Sequence, residues 1–156
     1  MDKSPIIIGS DHAGYHLKEK IRIYLLENGF EIEDAGAKNE NSVDYPDYGI
    51  KVASMVSAGK FNRGILLCGT GIGMAIVANR FSNVRAALCN DLFSAIMSRR
   101  HNNSNMLVIG GRVVGDGLAL EILKAWLETP FEEGRHKLRI DKFNNIGKKC
   151  MNKTKK

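Results

Sequence analysis

The sequence predicts an α/β protein, a three-layer α/β/α sandwich around a five-stranded parallel sheet of Rossmann-like type. Short β-branched or apolar runs alternate with longer segments of helical period, the order expected of successive βαβ units. Two of the runs, Ile65-Leu66-Leu67 and Leu107-Val108-Ile109, are apolar without alternation. Strands covered on both faces read this way, so these two belong at or near the sheet centre.

The five strands are expected at Ile6 to Gly9, about Phe30 to Asp34, Gly64 to Cys68, Arg85 to Cys89 and Met106 to Ile109. Between the first two, Tyr15 to Glu27 places Leu17, Ile21, Tyr24 and Leu25 at helical spacing and closes on the stop signal Asn28-Gly29. Further helices are predicted over about Asp47 to Ser57, Met74 to Phe81, Leu92 to Arg100 and Leu118 to Glu128, the last ending before Thr129-Pro130. A terminal helix is expected over Phe131 to Ile146.

A chain of 156 residues fits one domain, read here as 1–147, followed by a basic, frayed tail at 148–156. With 44% hydrophobic and 26% charged residues it has ordinary globular composition, and no apolar run approaches the ~20 residues of a membrane span. The start of the chain has neither a signal-peptide core nor a cleavage site, which predicts a cytoplasmic protein. Cys68, Cys89 and Cys150 are odd in number and widely spaced, so free thiols are expected rather than disulfides or a zinc site. Of the formal charge of +6, residues 136–156 carry +7 and the rest −1. The basic excess is thus a solvated tail, and no nucleic-acid partner is predicted.

In open parallel sheets ligands bind beyond the carboxyl ends of the strands. There the first strand runs into Ser10-Asp11-His12-Ala13-Gly14, the third into Cys68-Gly69-Thr70-Gly71-Ile72-Gly73 and the fourth into Asn90-Asp91. Glycines at alternate positions let backbone N–H groups approach an anion or a developing oxyanion near a helix start. The loop matches neither the dinucleotide fingerprint nor a P-loop. Cys68 beside it is either an apolar filler or a thiol activated as base or nucleophile.

Asp11 is placed to N-cap the following helix, a role compatible with facing a ligand. His12 and His16 stand four apart without a third ligand nearby, so no metal site is predicted. His101, in Arg100-His101-Asn102, either meets helix-end carbonyls or serves the site. Arg135 and Arg139, also four apart, suit a phosphate or ordinary helix solvation.

The segments Gly9 to Gly14, Asp44-Tyr45-Pro46, Cys68 to Gly73, Arg100-His101-Asn102 and Gly134-Arg135-His136 together resemble the type B ribose-5-phosphate isomerases, over about Ile6 to Ile146. That superfamily also holds galactose-6-phosphate and allose-6-phosphate isomerases. The resemblance implies an aldose-ketose isomerase of the pentose phosphate pathway, converting ribose 5-phosphate and ribulose 5-phosphate through an enediolate, with no metal or organic cofactor. Carried over by motif, Cys68 is the base, His101 the proton donor in ring opening, and Thr70 with the amides of Gly69, Gly71, Ile72 and Gly73 the enediolate stabiliser. Asp11 lies near the sugar hydroxyls, Asn102 holds the sugar, Tyr45 lines the pocket, and His12, Arg112, Arg135 and Arg139 bind the phosphate.

Some members use a glutamate a few residues later as base, but positions 74–76 here read Met-Ala-Ile, which leaves the thiol. The histidine typically missing from the galactose branch is present as His101, which favours the pentose. The resemblance further implies homodimers with shared active sites, with a tetramer also open. The alternatives are a hexose-6-phosphate isomerase and a non-catalytic sugar-phosphate-binding protein.

Overall fold

The computed structural model describes residues 3–143. Its strands are β1 (Ile6–Ser10), β2 (Ile32–Asp34), β3 (Arg63–Cys68), β4 (Ala86–Leu88) and β5 (Met106–Gly110). They form one parallel sheet in the order β2-β1-β3-β5-β4. The two runs expected at the centre are β3, which is central, and β5, its neighbour. In register, Ile8 lies beside Ile65, Leu67 beside Ile109, and Cys68 beside Gly110.

The helices are α1 (Tyr15–Glu27), α2 (Tyr45–Ser57), α3 (Ile72–Ala78), α4 (Leu92–Asn102), α5 (Asp116–Glu128) and α6 (Arg135–Phe143). Because strand side chains alternate faces, the continuous apolar runs feed two cores. Ile6, Ile8, Ile65, Leu67, Leu107 and Ile109 pack with Leu17, Ile21 and Leu25 of α1, Ala95 of α4, and Ile122 and Trp126 of α5. Ile7, Leu66, Cys68, Met106 and Val108 pack with Val52, Ala53 and Val56 of α2 and Met74 and Ala78 of α3. The expected three layers result.

Two helices differ most from the sequence-based expectation. Helix α3 starts at Ile72 rather than Met74 because Gly71 turns the chain with a φ of 80°, and it stops at Ala78 rather than Phe81. The Asn79 side chain explains the stop: its amide donates to Ala86 O (2.9 Å) and its Oδ1 accepts from Ala86 N (2.9 Å), docking it on β4 like a strand partner. Helix α6 starts at Arg135 rather than Phe131, since Glu133 and Gly134 both hold positive φ (54° and 52°), which no right-handed helix accommodates. Ile146, the basic tail 148–156 and Cys150 lie outside the described residues.

Candidate active site

The chain leaves β1 toward β2 on one side of the sheet and β3 toward the other strands on the opposite side, so the topological switch point falls between β1 and β3. The turn after β1 rests on β3 because Gly14 has no side chain: a Cβ there would stand 2.7 Å from the Leu67 carbonyl carbon. Within that turn the Asp11 amide donates to Leu67 O (3.2 Å), and buried Asp11 Oδ1 accepts from the Gly14 amide (2.9 Å). Asp11 therefore closes a tight turn and does not cap α1, whose N-cap is Gly14 with no side-chain bond.

Cys68 ends β3 with 5% of its surface exposed, and its Sγ accepts the Gly71 N–H at 3.1 Å. The loop wraps around the sulfur under tight constraint. A Cβ at Gly71 would stand 2.4 Å from Leu88 Cδ1, and one at Gly73 would stand 2.7 Å from the Tyr45 ring. Thr70 is exposed and its Oγ1 accepts from the Ile72 amide (3.3 Å). Helix α3 has only seven residues, so the anion-binding capacity here resides in the loop amides rather than in a long helix dipole.

Two more predicted residues join this group. The turn after β5 is tied to the loop by Gly111 N to Cys68 O (2.8 Å) and Arg112 N to Gly69 O (3.0 Å), which lays the Arg112 side chain over Gly69. His12 Nδ1 accepts from the Val43 amide (3.2 Å), so the neutral ring carries its proton on Nε2, ready to donate. Two strand-end residues to which sequence reasoning gave no role stand at the same sheet end. Among the described residues, Ser10 Oγ and Asn90 Oδ1 are buried without a hydrogen-bond partner.

His101, Asn102, Arg135 and Arg139 form a separate group. Helix α4 returns antiparallel to the strands, so its last turn lies at their amino ends, just before β5. Met106 opens β5, whereas Cys68 pairs with Gly110 at its close, so about 13 Å of extended strand separates the two levels. Here the His101 and His136 rings stack with centroids 4.2 Å apart and planes 4° from parallel. Glu132 Oε2 stands 3.8 Å from His101 Nε2 and 3.7 Å from His136 Nε2, while its Oε1 is 3.5 Å from Arg100 Nε.

Burial and the positive charges of His101, Arg135 and Arg139 hold the His136 pKa below the usual imidazole range, outweighing Glu132. His101, Glu132 and His136 bring ligand atoms within 4.8 Å of one another, but no point lies in the planes of both stacked rings, where both lone pairs would have to aim to bind one ion. Arg135 and Arg139 stand on successive turns of α6, both exposed, as the spacing predicted.

Arg99 braces the end of α4 from below. Its guanidinium donates to Ser104 O, to Asn103 Oδ1 (3.1 Å) and to Thr129 O (3.4 Å), linking α4 to the end of α5. Burial, with Arg63 and Arg85 nearby, pulls its pKa down to about 10. Asn103 then closes α4 in the left-handed conformation (φ 45°), which asparagine tolerates. Cys89 is fully buried and its thiol is pushed up to about 11, so it remains a core thiol as expected.

A doubly wound sheet whose switch point carries a thiol inside an amide-lined loop has its candidate site where α/β enzymes hold theirs. The chain belongs to the Ribose/Galactose Isomerase family, whose model matches residues 6–143, and it is an aldose-ketose isomerase. It is 44% identical over 141 residues to the ribose-5-phosphate isomerase B of Escherichia coli, covering 90% of this chain and 95% of that one. It is also 44% identical over 140 residues to a D-erythrulose-4-phosphate isomerase of Pectobacterium atrosepticum, covering 88% and 91%. A solved ribose-5-phosphate isomerase B of Clostridium thermocellum superposes with a TM-score of 0.91 at 49% identity, covering 93% of this chain and 98% of that one.

Proposed function

We propose that the protein interconverts ribose 5-phosphate and ribulose 5-phosphate through an enediolate, in sites shared between two copies of a homodimer. The observation that carries this reading is Cys68 Sγ, held within the amide loop at the β1/β3 switch point. His101 protonates the furanose ring oxygen O4 as the C1–O4 bond breaks, and the proton of the C1 hydroxyl leaves to solvent, from which His101 is reprotonated, so that C1 becomes the aldehyde. Cys68, as thiolate, removes the C2 proton, and the electron pair moves onto O1, where the amides of Gly69 to Gly73 and the Thr70 hydroxyl stabilise the anion. The thiol returns its proton to C1 while the O2 proton passes to O1, which yields the ketose.

In this reading Asp11 and Asn102 hold the sugar hydroxyls, Tyr45 walls the pocket, and His12, Arg112, Arg135 and Arg139 take the phosphate. Every step is a proton transfer, so the cycle needs no metal or organic cofactor. The separation of Cys68 and His101 at opposite ends of the sheet supports the reading that two copies share each site. Exposed apolar side chains on α3 and at the start of α4, namely Ile72, Ile76, Leu92 and Phe93, supply surface for a second copy. Among the described residues no helix is long and apolar enough to cross a membrane, and Cys68 and Cys89 are free thiols, in keeping with a cytoplasmic enzyme.

The pentose assignment is tested by kcat/KM across ribose 5-phosphate, erythrose 4-phosphate, allose 6-phosphate and galactose 6-phosphate. Ribose 5-phosphate should lead. A preference for a tetrose or a hexose would overturn the substrate while leaving the chemistry in place.

A further inference from the structure

Glu132 and His136 sit against His101 without a role in the proton transfers above. Each histidine offers Nε2 to the same carboxylate oxygen at nearly equal distance, 3.8 Å for His101 and 3.7 Å for His136. The surroundings of the two rings are unequal. His136 is 5% exposed, its Nε2 accepts a hydrogen bond from Arg135 Nε (3.4 Å), and the cationic Arg139 lies on the same helix. A ring whose Nε2 accepts from a guanidinium has no proton there to give the carboxylate. The His101 side chain is 40% exposed, and of its two ring nitrogens Nε2 is the one that faces the Glu132 carboxylate.

The loop that carries Glu132 is fixed to α4 twice. Its amide donates to Arg100 O at 3.0 Å, and its Oε1 faces the Arg100 guanidinium at 3.5 Å. The charged and titratable groups around His101 are thus Arg100 on its own helix, Glu132 on the loop, and Arg135, His136 and Arg139 on α6. The parallel stack at 4.2 Å leaves His101 one ring plane.

We propose that Glu132 and His136 are positioning residues that make His101 a proton donor: the carboxylate orients its N–H, and the stacked neutral ring fixes its plane. This rests on the reading of His101 as the group that opens the sugar ring. Glu132 is exposed, so Glu132→Gln should fold, and it should lower kcat on ribose 5-phosphate by roughly 10- to 100-fold with KM within about twofold. In a His101→Asn background the same change should cost less than about twofold, because Glu132 then has nothing to position.

A phenyl ring keeps the stack, so His136→Phe should retain at least about ten times the kcat of His136→Ala. Equal losses from Glu132→Gln in both backgrounds, or none in the wild type, would overturn the proposal. Full activity of His101→Asn alone would instead sink the underlying reading. Should neither His136 variant fold, the Glu132 cycle decides by itself.

Discussion

The two ends of the sheet solve the problem of holding polar groups in opposite ways. At the carboxyl end the site is made largely of backbone: Gly14, Gly71 and Gly73 are pressed against Leu67, Leu88 and Tyr45, and Cys68 and Asp11 are held by the amides of Gly71 and Gly14. At the amino end it is made of long side chains, with His101 stacked on His136, bridged by Glu132 and braced from beneath by Arg99. A backbone-built half is damaged by adding atoms and a side-chain-built half by removing them, which separates the two experimentally.

The largest contrast is between thiols. Cys68→Ala should cost roughly 10²- to 10⁴-fold in kcat with substrate binding retained. Cys89→Ala, at a buried thiol held protonated, should leave kcat within about twofold while lowering the unfolding midpoint. Turnover of ribose 5-phosphate and a thermal melt for each variant check both.

One added methyl tests the backbone half. Gly71→Ala meets Leu88 Cδ1 and also demands a left-handed φ of an L-residue, so it should cost about 1–3 kcal/mol in urea unfolding and displace the Cys68 loop. Removal tests the other half. Arg99→Ala strands the carbonyls of Ser104 and Thr129 and should destabilise by about 2–3 kcal/mol. It should also lower kcat through His101, whereas Arg99→Lys should restore stability only in part, a lysine offering one donor centre for three acceptors.

The smallest effect concerns the start of α4. Asp91 accepts from the Ser94 amide and hydroxyl at 2.7 Å each, and these bonds hold its carboxyl below the usual range. A carboxylate with a depressed folded pKa stabilises above its unfolded value and loses that contribution as pH falls through the folded one. Melting temperatures of wild type and Asp91→Ala should therefore differ modestly at neutral pH and converge in acid. A constant gap across pH would contradict the assigned cap.

Much of this was legible in the residues. The unbroken apolar runs at 65–67 and 107–109 placed β3 and β5 at the centre, and strand-end logic located Cys68, Asp11 and the glycine loop. What escaped depended on conformation or on distant partners. Nothing in the identity of Glu133 announces the positive φ that delays α6, and Asp11 reads as a helix cap because it lies just before α1, although the amide it accepts from is that of Gly14, the residue that itself caps the helix. Glu132 and His136 carry no periodic signal that ties them to His101, which lies about 30 residues away in sequence and meets them only after α5 folds back.

The central claim is that one working site needs Cys68 from one copy and His101 from another. Cys68→Ala and His101→Asn proteins, each strongly impaired but not wholly inactive alone, should be mixed under conditions that exchange subunits, and turnover of ribose 5-phosphate measured. Random pairing of a two-fold dimer leaves one intact site in half of the dimers, so activity should recover to about one quarter of wild type. Mixtures that exchange subunits and stay as impaired as the variants alone would contradict the account.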